Sequence, residues 1–203
     1  AGLINFALAL SVYLVARSDT APAALRTQVT TAAAMPRLIL AAAFLTGAAS
    51  FFYEIGWIRM LSLVIGSATH SFELMLSAFI FGLAAGAFWI RNRIDSQRDP
   101  LRLLGLIQVL MALSALLTLT LYMGLFETMA TVRGALAAND TGYVLYSLLS
   151  SSLCYLLMLP ATFCAGMTLP LMTAVLLRGG HGEGSIGRVY AANTVGAVLG
   201  ALA

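Results

Sequence analysis

Long apolar runs recur along this 203-residue chain, and they constrain its fold more than any other feature. An α-helix rises about 1.5 Å per residue, so about 20 apolar residues cross the roughly 30 Å hydrocarbon core of a bilayer. Four runs reach that length, at 38–65, 72–90, 103–125 and 143–177. They predict an all-α fold, a polytopic transmembrane helix bundle whose principal partner is the lipid bilayer.

The composition excludes a soluble domain. Hydrophobic residues make up 61% of the chain and charged residues only 9%, whereas soluble domains carry about 25% charged residues. All eleven basic residues are arginines, and most of them lie in short segments between the apolar runs. Because this pattern gives no basic amphipathic helix face, we expect no nucleic-acid partner.

Both ends of the chain carry shorter apolar runs. Residues 1–16 would span only about 24 Å as a helix, and residues 190–203 are also too few to cross a bilayer. We therefore expect the chain to be cut inside a membrane helix at both ends. This divides it into an incomplete membrane helix (1–17), a linker (18–37) and an incomplete group of membrane helices (38–203).

The distribution of arginines predicts the orientation of the spans. Loops 17–37, 91–102 and 178–188 are basic, whereas the loops between them contain only Arg133. This alternation is the pattern expected of four complete spans between two partial helices. Since cytoplasmic loops retain positive charge, we place the three basic loops in the cytoplasm.

Ionisable residues within and beside the spans mark a candidate intramembrane polar site. Glu54 lies about 24 Å along its helix from Leu38, at a depth where a charge is costly and normally faces protein or water. Arg59 lies roughly 140° around the same helix, so the two are poorly placed to pair directly. His70 and Glu73 begin the next span on the same side and could complete a polar cluster with Arg59. Two interpretations stay open: an ion-pair network that fixes helix packing, or the handling of protons or cations.

Paired glycines predict close packing between helices. Gly82 with Gly86, and Gly196 with Gly200, have the small-xxx-small spacing that lets helix backbones approach each other in lipid. A substrate path that requires small side chains is the alternative interpretation.

The run 143–177 is interrupted by two prolines. Pro160 and Pro170 predict a kinked span, which is either a structural kink or a discontinuous helix at a binding site. The same run contains Cys154 and Cys164, which are about 15 Å apart along a helix and therefore cannot form a disulfide with each other. We assign both cysteines to packing.

The sequence lacks motifs that carry catalysis or bind cofactors. It contains no phosphate-binding glycine loop after a strand, no HExxH zinc motif and no nucleophile elbow. The glycine-rich segment 179–187 lies between membrane helices and is predicted to be a flexible turn. We therefore predict no catalytic residue, no metal site and no cofactor within this chain.

Three segments resemble one family of membrane proteins, the fused major-facilitator and spermidine-synthase-like proteins. The segment FLTGAASFFYEIGWIRMLSLVIGSATHSFELMLSAFIFGLAAGAFW (44–89) resembles the opening of that family's membrane repeat. Its Tyr-Glu-x-x-Trp-x-Arg signature corresponds here to Tyr53, Glu54, Trp57 and Arg59. LPATFCAGMTLPLM (159–172) is similar to the family's proline–glycine–proline segment. GRVYAANTVGAVLGA (187–201), with Tyr190 and Asn193, is similar to its Gly-Arg-x-Tyr-x-x-Asn-Thr-x-Gly-Ala segment.

The chain departs from the family pattern at two places. The loop RNRIDSQRDPLRL (91–103) resembles the major-facilitator loop between the second and third helices but lacks its glycines. The resemblance therefore assigns no gating role to Asp95. His70 stands where the family pattern has a small or aromatic residue.

The resemblance implies a major-facilitator-like half-bundle in a bacterial inner membrane, within a duplicated membrane domain. Residues 1–17 would then be the end of a preceding transmembrane repeat, 18–37 a cytoplasmic linker and 38–203 the incomplete second repeat. It also implies that a soluble aminopropyltransferase-like domain follows, similar to spermidine synthases that use decarboxylated S-adenosylmethionine. The expected partners are the rest of its own chain and other membrane subunits. The expected function is to anchor the soluble domain and to transport or present a polyamine-type cation. The alternatives are a transporter without enzymatic activity and a structural subunit of a larger membrane complex.

Overall fold

Five α-helices form a bundle in the computed structural model, which describes Leu10, Leu14 and residues 31–65, 68–135 and 140–202. In chain order they are α1 (Thr31–Ile65), α2 (Ala68–Arg91), α3 (Pro100–Ala135), α4 (Asp140–Arg178) and α5 (Gly184–Leu202). None of the residues in these ranges lies in a β-strand. The predicted all-α bundle is confirmed. Apart from Leu10 and Leu14, the predicted helix 1–16 lies outside the described residues, as does most of the predicted linker.

Four of the helices are long and apolar enough to cross a membrane. The spanning segments are Met35–Leu63, Ser71–Arg91, Pro100–Tyr122 and Thr141–Arg178. A continuous helix suits this environment because it satisfies its own backbone hydrogen bonds where lipid offers none. The four spans predicted from run length are therefore present, and the chain has the form of a multi-pass membrane protein.

Two helices extend past the boundaries that the apolar runs predict. Helix α1 begins at Thr31 and includes the last seven residues of the predicted linker 18–37. Helix α3 continues to Ala135, although the apolar run ends near residue 125. The α1 extension is rich in alanine, and the α3 extension contains alanine, methionine and glutamate among weaker helix formers. Helix propensity therefore favours both extensions although neither is part of an apolar run.

Local sequence signals fix the turns between the helices. Asp99 caps α3, since its carboxylate accepts the backbone N–H of Arg102 at 3.1 Å and Pro100 occupies the first helical position. After α4, Gly180 and Gly182 have φ angles of 76° and 69°. Those left-handed conformations explain why glycines occupy this turn. Helix α5 begins at Gly184, inside the predicted turn 179–187.

Two pairs of parallel helices build the bundle. Helices α1 and α5 form one closely packed pair and α2 and α4 the other, while α3 packs mainly on α4. Phe44 meets Gly196 and Ala48 meets Gly200, so contacts advance together along α1 and α5, which therefore run in the same direction. The same argument applies to α2 and α4, where Ser77 meets Tyr155 and Gly82 meets Thr162.

Apolar cores lie towards each end of the bundle. The first, here called the basic-end core, combines all five helices and includes Ile39, Ile90, Leu104, Leu171, Leu176 and Val189. Met35, Ile94 and Leu101 pack against it. The described parts of the three arginine-rich segments therefore lie at the same end. The opposite core joins α1, α2 and α4 through Trp57, Leu61, Met75, Cys154 and Met158.

Candidate functional site

Glu54 is the most informative ionisable residue of the spanning segments. It lies on α1 inside the segment Met35–Leu63, and its side chain is half-buried. Among the described residues it forms no ion pair and no hydrogen bond. Thr46 and Ser50 precede it at four-residue intervals, so the three polar residues lie along one helix face. The structure thus places a carboxylate at the end of a short polar line within an apolar helix.

Arg59 points away from this line. It is exposed and shares a stripe with Phe52, Ile55 and Leu63, which are 38%, 36% and 67% exposed. The structure therefore does not bring Arg59 to Glu54. Its position close to the end of the spanning segment lets a long side chain reach the membrane surface.

The remaining members of the predicted polar cluster lie at the start of α2. Glu73 is exposed there. The backbone of His70 is helical, and its side chain is outside the described part of the structure. The predicted grouping of Arg59, His70 and Glu73 therefore stays a prediction.

The aromatic residues beside Glu54 pack against each other. The rings of Tyr53 and Trp57 are stacked, with centroids 5.6 Å apart and an interplanar angle of 24°. Trp57 is only 5% exposed and belongs to the opposite core, against which Tyr53 also packs. These two residues fix the rotation of α1 about its axis, and hence the direction in which Glu54 lies.

The glycines of α5 lie in a seam against α1, here called the α1·α5 seam. A Cβ at Gly196 would overlap the carbonyl oxygen of Phe44, and one at Gly200 would lie 2.6 Å from that of Ala48. From the other side, a Cβ at Gly47 would overlap the carbonyl oxygen of Asn193. The backbones of α1 and α5 are in direct contact here, and any side chain at these glycine positions would prevent that contact. Tyr190, in the same segment, is 48% exposed on α5.

A second seam, here called the α2·α4 seam, has the same construction. A Cβ at Gly86 would overlap the carbonyl oxygen of Phe163, and one at Gly166 would overlap that of Leu83. Gly82 differs, because it lies against the hydroxyl-bearing side chain of Thr162. Each seam fixes the rotation and the axial position of one parallel helix against the other. Glu54 lies on α1 beyond the residues of the α1·α5 seam.

A buried polar contact between α1 and α3 is absent from the sequence-based predictions. The amide nitrogen of Gln108 donates a hydrogen bond of 3.0 Å to the hydroxyl of Thr46, and Gln108 is completely buried. Its amide oxygen has no hydrogen-bond partner among the described residues. A lone glutamine inside the apolar run 103–125 is the signal that could have identified it. The contact lies two helical turns before Glu54 on the same polar line.

Arg178 is a second residue that the sequence analysis did not single out. Its guanidinium donates hydrogen bonds to the carbonyl oxygens of Gln97, Ile94 and Asp95 at 2.5, 2.6 and 3.3 Å. It thereby ties the end of α4 to the turn after α2. Two of the arginine-rich segments are joined directly by this contact.

The described part of the chain contains side chains of the kinds that bind metals or react as thiols. Its histidine, cysteine and carboxylate side chains form no group of three that could hold a metal ion. Cys154 and Cys164 are both free thiols buried in different cores. The arrangement instead suits the noncovalent binding of a cation at Glu54, since an unpaired carboxylate inside a membrane attracts positive charge.

Comparisons with models of protein families, with curated proteins and with solved structures found no match to this chain. The class of protein is therefore set by the fold alone: a multi-pass helical membrane protein.

Proposed function

We propose that this chain is the membrane domain of a spermidine-synthase-like protein of the bacterial inner membrane, which anchors a soluble domain and binds a polyamine-type cation for transport or presentation. The half-buried Glu54 carboxylate, unpaired among the described residues, is the observation that carries the proposal. In this proposal the arginine-rich end of the bundle faces the cytoplasm, as cytoplasmic segments retain positive charge.

The chemistry of a polyamine suits the surroundings of Glu54. A protonated amine offers several N–H donors to a carboxylate, and its methylene chain suits apolar neighbours. Ser50, one turn before Glu54 on the same face, supplies a hydroxyl group, whereas the Thr46 hydroxyl is buried and already accepts from Gln108. The hydroxyl of Ser50 already donates to the carbonyl oxygen of Thr46 at 2.8 Å, so its oxygen stays available as an acceptor.

Replacement of Glu54 tests the proposal. We expect Glu54→Gln to weaken the binding of radiolabelled spermidine by the protein in proteoliposomes by about tenfold, because a charged hydrogen bond of about 1.4 kcal/mol is lost. Glu127→Gln is the matched control, because Glu127 is an exposed carboxylate of α3 beyond the spanning segment Pro100–Tyr122. Equal binding by wild type and Glu54→Gln would remove Glu54 from the proposed site.

Thermal unfolding of the same variants separates a binding role from a structural one. An unpaired, half-buried carboxylate is costly in a membrane, so Glu54→Gln should leave stability unchanged or raise it. A structural ion-pair network requires the opposite result, a loss of stability.

Transport assays separate the proposal from its alternatives. Uptake of spermidine into liposomes by the membrane domain alone, in a protein without aminopropyltransferase activity, would favour a transporter. Co-purification with other membrane proteins at a fixed stoichiometry, without spermidine binding, would favour a structural subunit.

A further inference from the structure

A groove opens between α2 and α4 at the basic end of the bundle, well away from Glu54. It has a volume of about 460 Å³ and combines charged with apolar lining residues. Its charged residues are Arg91, Asp95 and Arg178. The spanning segments of α2 and α4 end at Arg91 and Arg178, so the groove lies at the boundary between hydrocarbon and headgroups.

The position of Trp89 supports the placement of the groove at the boundary between hydrocarbon and headgroups. Trp89 lies between the groove-lining residues Ala87 and Arg91 on α2 and is 38% exposed. Its ring contacts that of Phe163, with centroids 6.0 Å apart. The guanidinium of Arg93 lies 4.2 Å from the centre of the Trp89 ring. An exposed tryptophan beside arginines is typical of the membrane–water interface.

The three charges of the groove have different roles. Arg178 donates hydrogen bonds to backbone carbonyl oxygens of the turn after α2, so its side chain has a fixed position on one side of the groove. Arg91 is exposed and makes no hydrogen bond or ion pair with another described residue. Two cations face one carboxylate, Asp95, which leaves an excess positive charge in the groove.

The wall below these charges is apolar. It includes Ala87 and Ala174, whose small side chains leave the space open, together with Pro170 and Leu177. A phosphate at Arg91 with a hydrocarbon chain along these residues would match both parts of the groove, since basic pockets between membrane helices bind anionic headgroups.

We propose that this groove binds one anionic phospholipid, with its phosphate on Arg91 and an acyl chain between Ala87 and Ala174. The site is independent of the proposed cation site, because it lies between α2 and α4 at the basic end of the bundle and contains neither Glu54 nor any other residue of α1.

Native mass spectrometry of the purified, delipidated protein in detergent tests this assignment. We expect one phosphatidylglycerol to be retained in preference to phosphatidylcholine with the same acyl chains. Arg91→Gln should weaken that binding by about tenfold. Arg188→Gln is the matched control, since Arg188 is an exposed arginine of α5 that does not line the groove. An equal loss in both variants would indicate diffuse attraction to a basic surface and overturn the proposal.

A second variant tests the apolar part with every charge intact. Ala174→Phe fills the groove and should reduce phosphatidylglycerol binding, while the thermal unfolding temperature shows that the bundle still folds. Retention of the lipid by a folded Ala174→Phe protein would contradict the proposed acyl position. Displacement of the lipid by millimolar inorganic phosphate would assign the site to a soluble phosphate ligand instead.

Discussion

The two glycine seams and the contacts of α3 join helices in different ways. At the seams, glycines on both sides bring backbones together, and at every seam glycine except Gly82 the nearest atom of the other helix is a carbonyl oxygen. Helix α3 instead contacts α1 and α4 through large side chains, among them Leu104, Met111, Leu125 and Met129, and through the buried Gln108–Thr46 hydrogen bond.

Helix α3 also borders a small gap in the core. A gap of about 10 Å³, lined by residues such as Trp57, Leu61, Thr118 and Leu157, lies between α1, α3 and α4. This is near the least volume that holds a water molecule, and its lining is mostly apolar. The comparison indicates that the seams specify the positions of α1, α2, α4 and α5 sterically, whereas large apolar side chains and one buried polar contact position α3.

The largest effect should come from adding one methyl group to a seam. We expect Gly196→Ala to lower the free energy of unfolding by about 3 kcal/mol, because its Cβ would overlap the Phe44 carbonyl oxygen and the two helices must separate. Gly124→Ala on α3 is the matched control, since a Cβ there has no neighbour within 4 Å. That control should be neutral or stabilising by up to about 1 kcal/mol. Denaturation in mixed micelles measures both, and equal losses would contradict the steric role of the seam.

A smaller effect is expected at the α1·α3 contact, where Gln108→Leu and Thr46→Val form a double-mutant cycle. Thr46→Val should cost about 1 to 2 kcal/mol, because it leaves the whole amide of Gln108 buried without a partner. Gln108→Leu should cost less, since it also removes the amide oxygen that lacks a partner among the described residues.

The coupling energy of this cycle, read from the same unfolding assay, should be about 0.6 kcal/mol, the mean for hydrogen bonds between membrane helices, and at most about 1.7 kcal/mol. A coupling energy of zero would show that α3 is held by its apolar side chains alone.

The contrast between the glycine seams and the side-chain contacts of α3 also explains which parts of the fold could be predicted from the sequence. The four spans follow from run length, because a bilayer of fixed thickness makes length decisive. The spacing of Gly82 with Gly86 and of Gly196 with Gly200 indicates one side of each seam. The other side could not be predicted in this way, since Gly47 and Gly166 have no second glycine at that spacing.

The candidate site was predictable only in part. Periodicity gives the face on which a residue lies, and so it separates Glu54 from Arg59. It does not give the helix that meets that face. Gln108 and Thr46 are 62 positions apart, and their contact depends on how α1 and α3 pack. The groove at Arg91 likewise needs two helices that lie far apart in the sequence.

The smallest predicted effect concerns the basic end, where the α2·α4 seam is extended by Arg178 and the α1·α5 seam has no equivalent contact among the described residues. We expect Arg178→Lys to accelerate amide hydrogen exchange in residues 92–99 about fivefold, corresponding to about 1 kcal/mol of local stability. Lysine keeps the charge but not the planar fork that reaches several carbonyl oxygens at once.

Arg188→Lys is the control for this measurement, since Arg188 is exposed on α5 and should leave exchange in 92–99 unchanged. Global unfolding should barely respond to either variant, because the contact is exposed and local. Unchanged exchange in Arg178→Lys would show that the turn is held by its own backbone hydrogen bonds, such as that from Ile94 to Ile90 at 2.8 Å. The glycines would then account for the alignment of α2 with α4 without help from the loop, and the two seams would be equivalent.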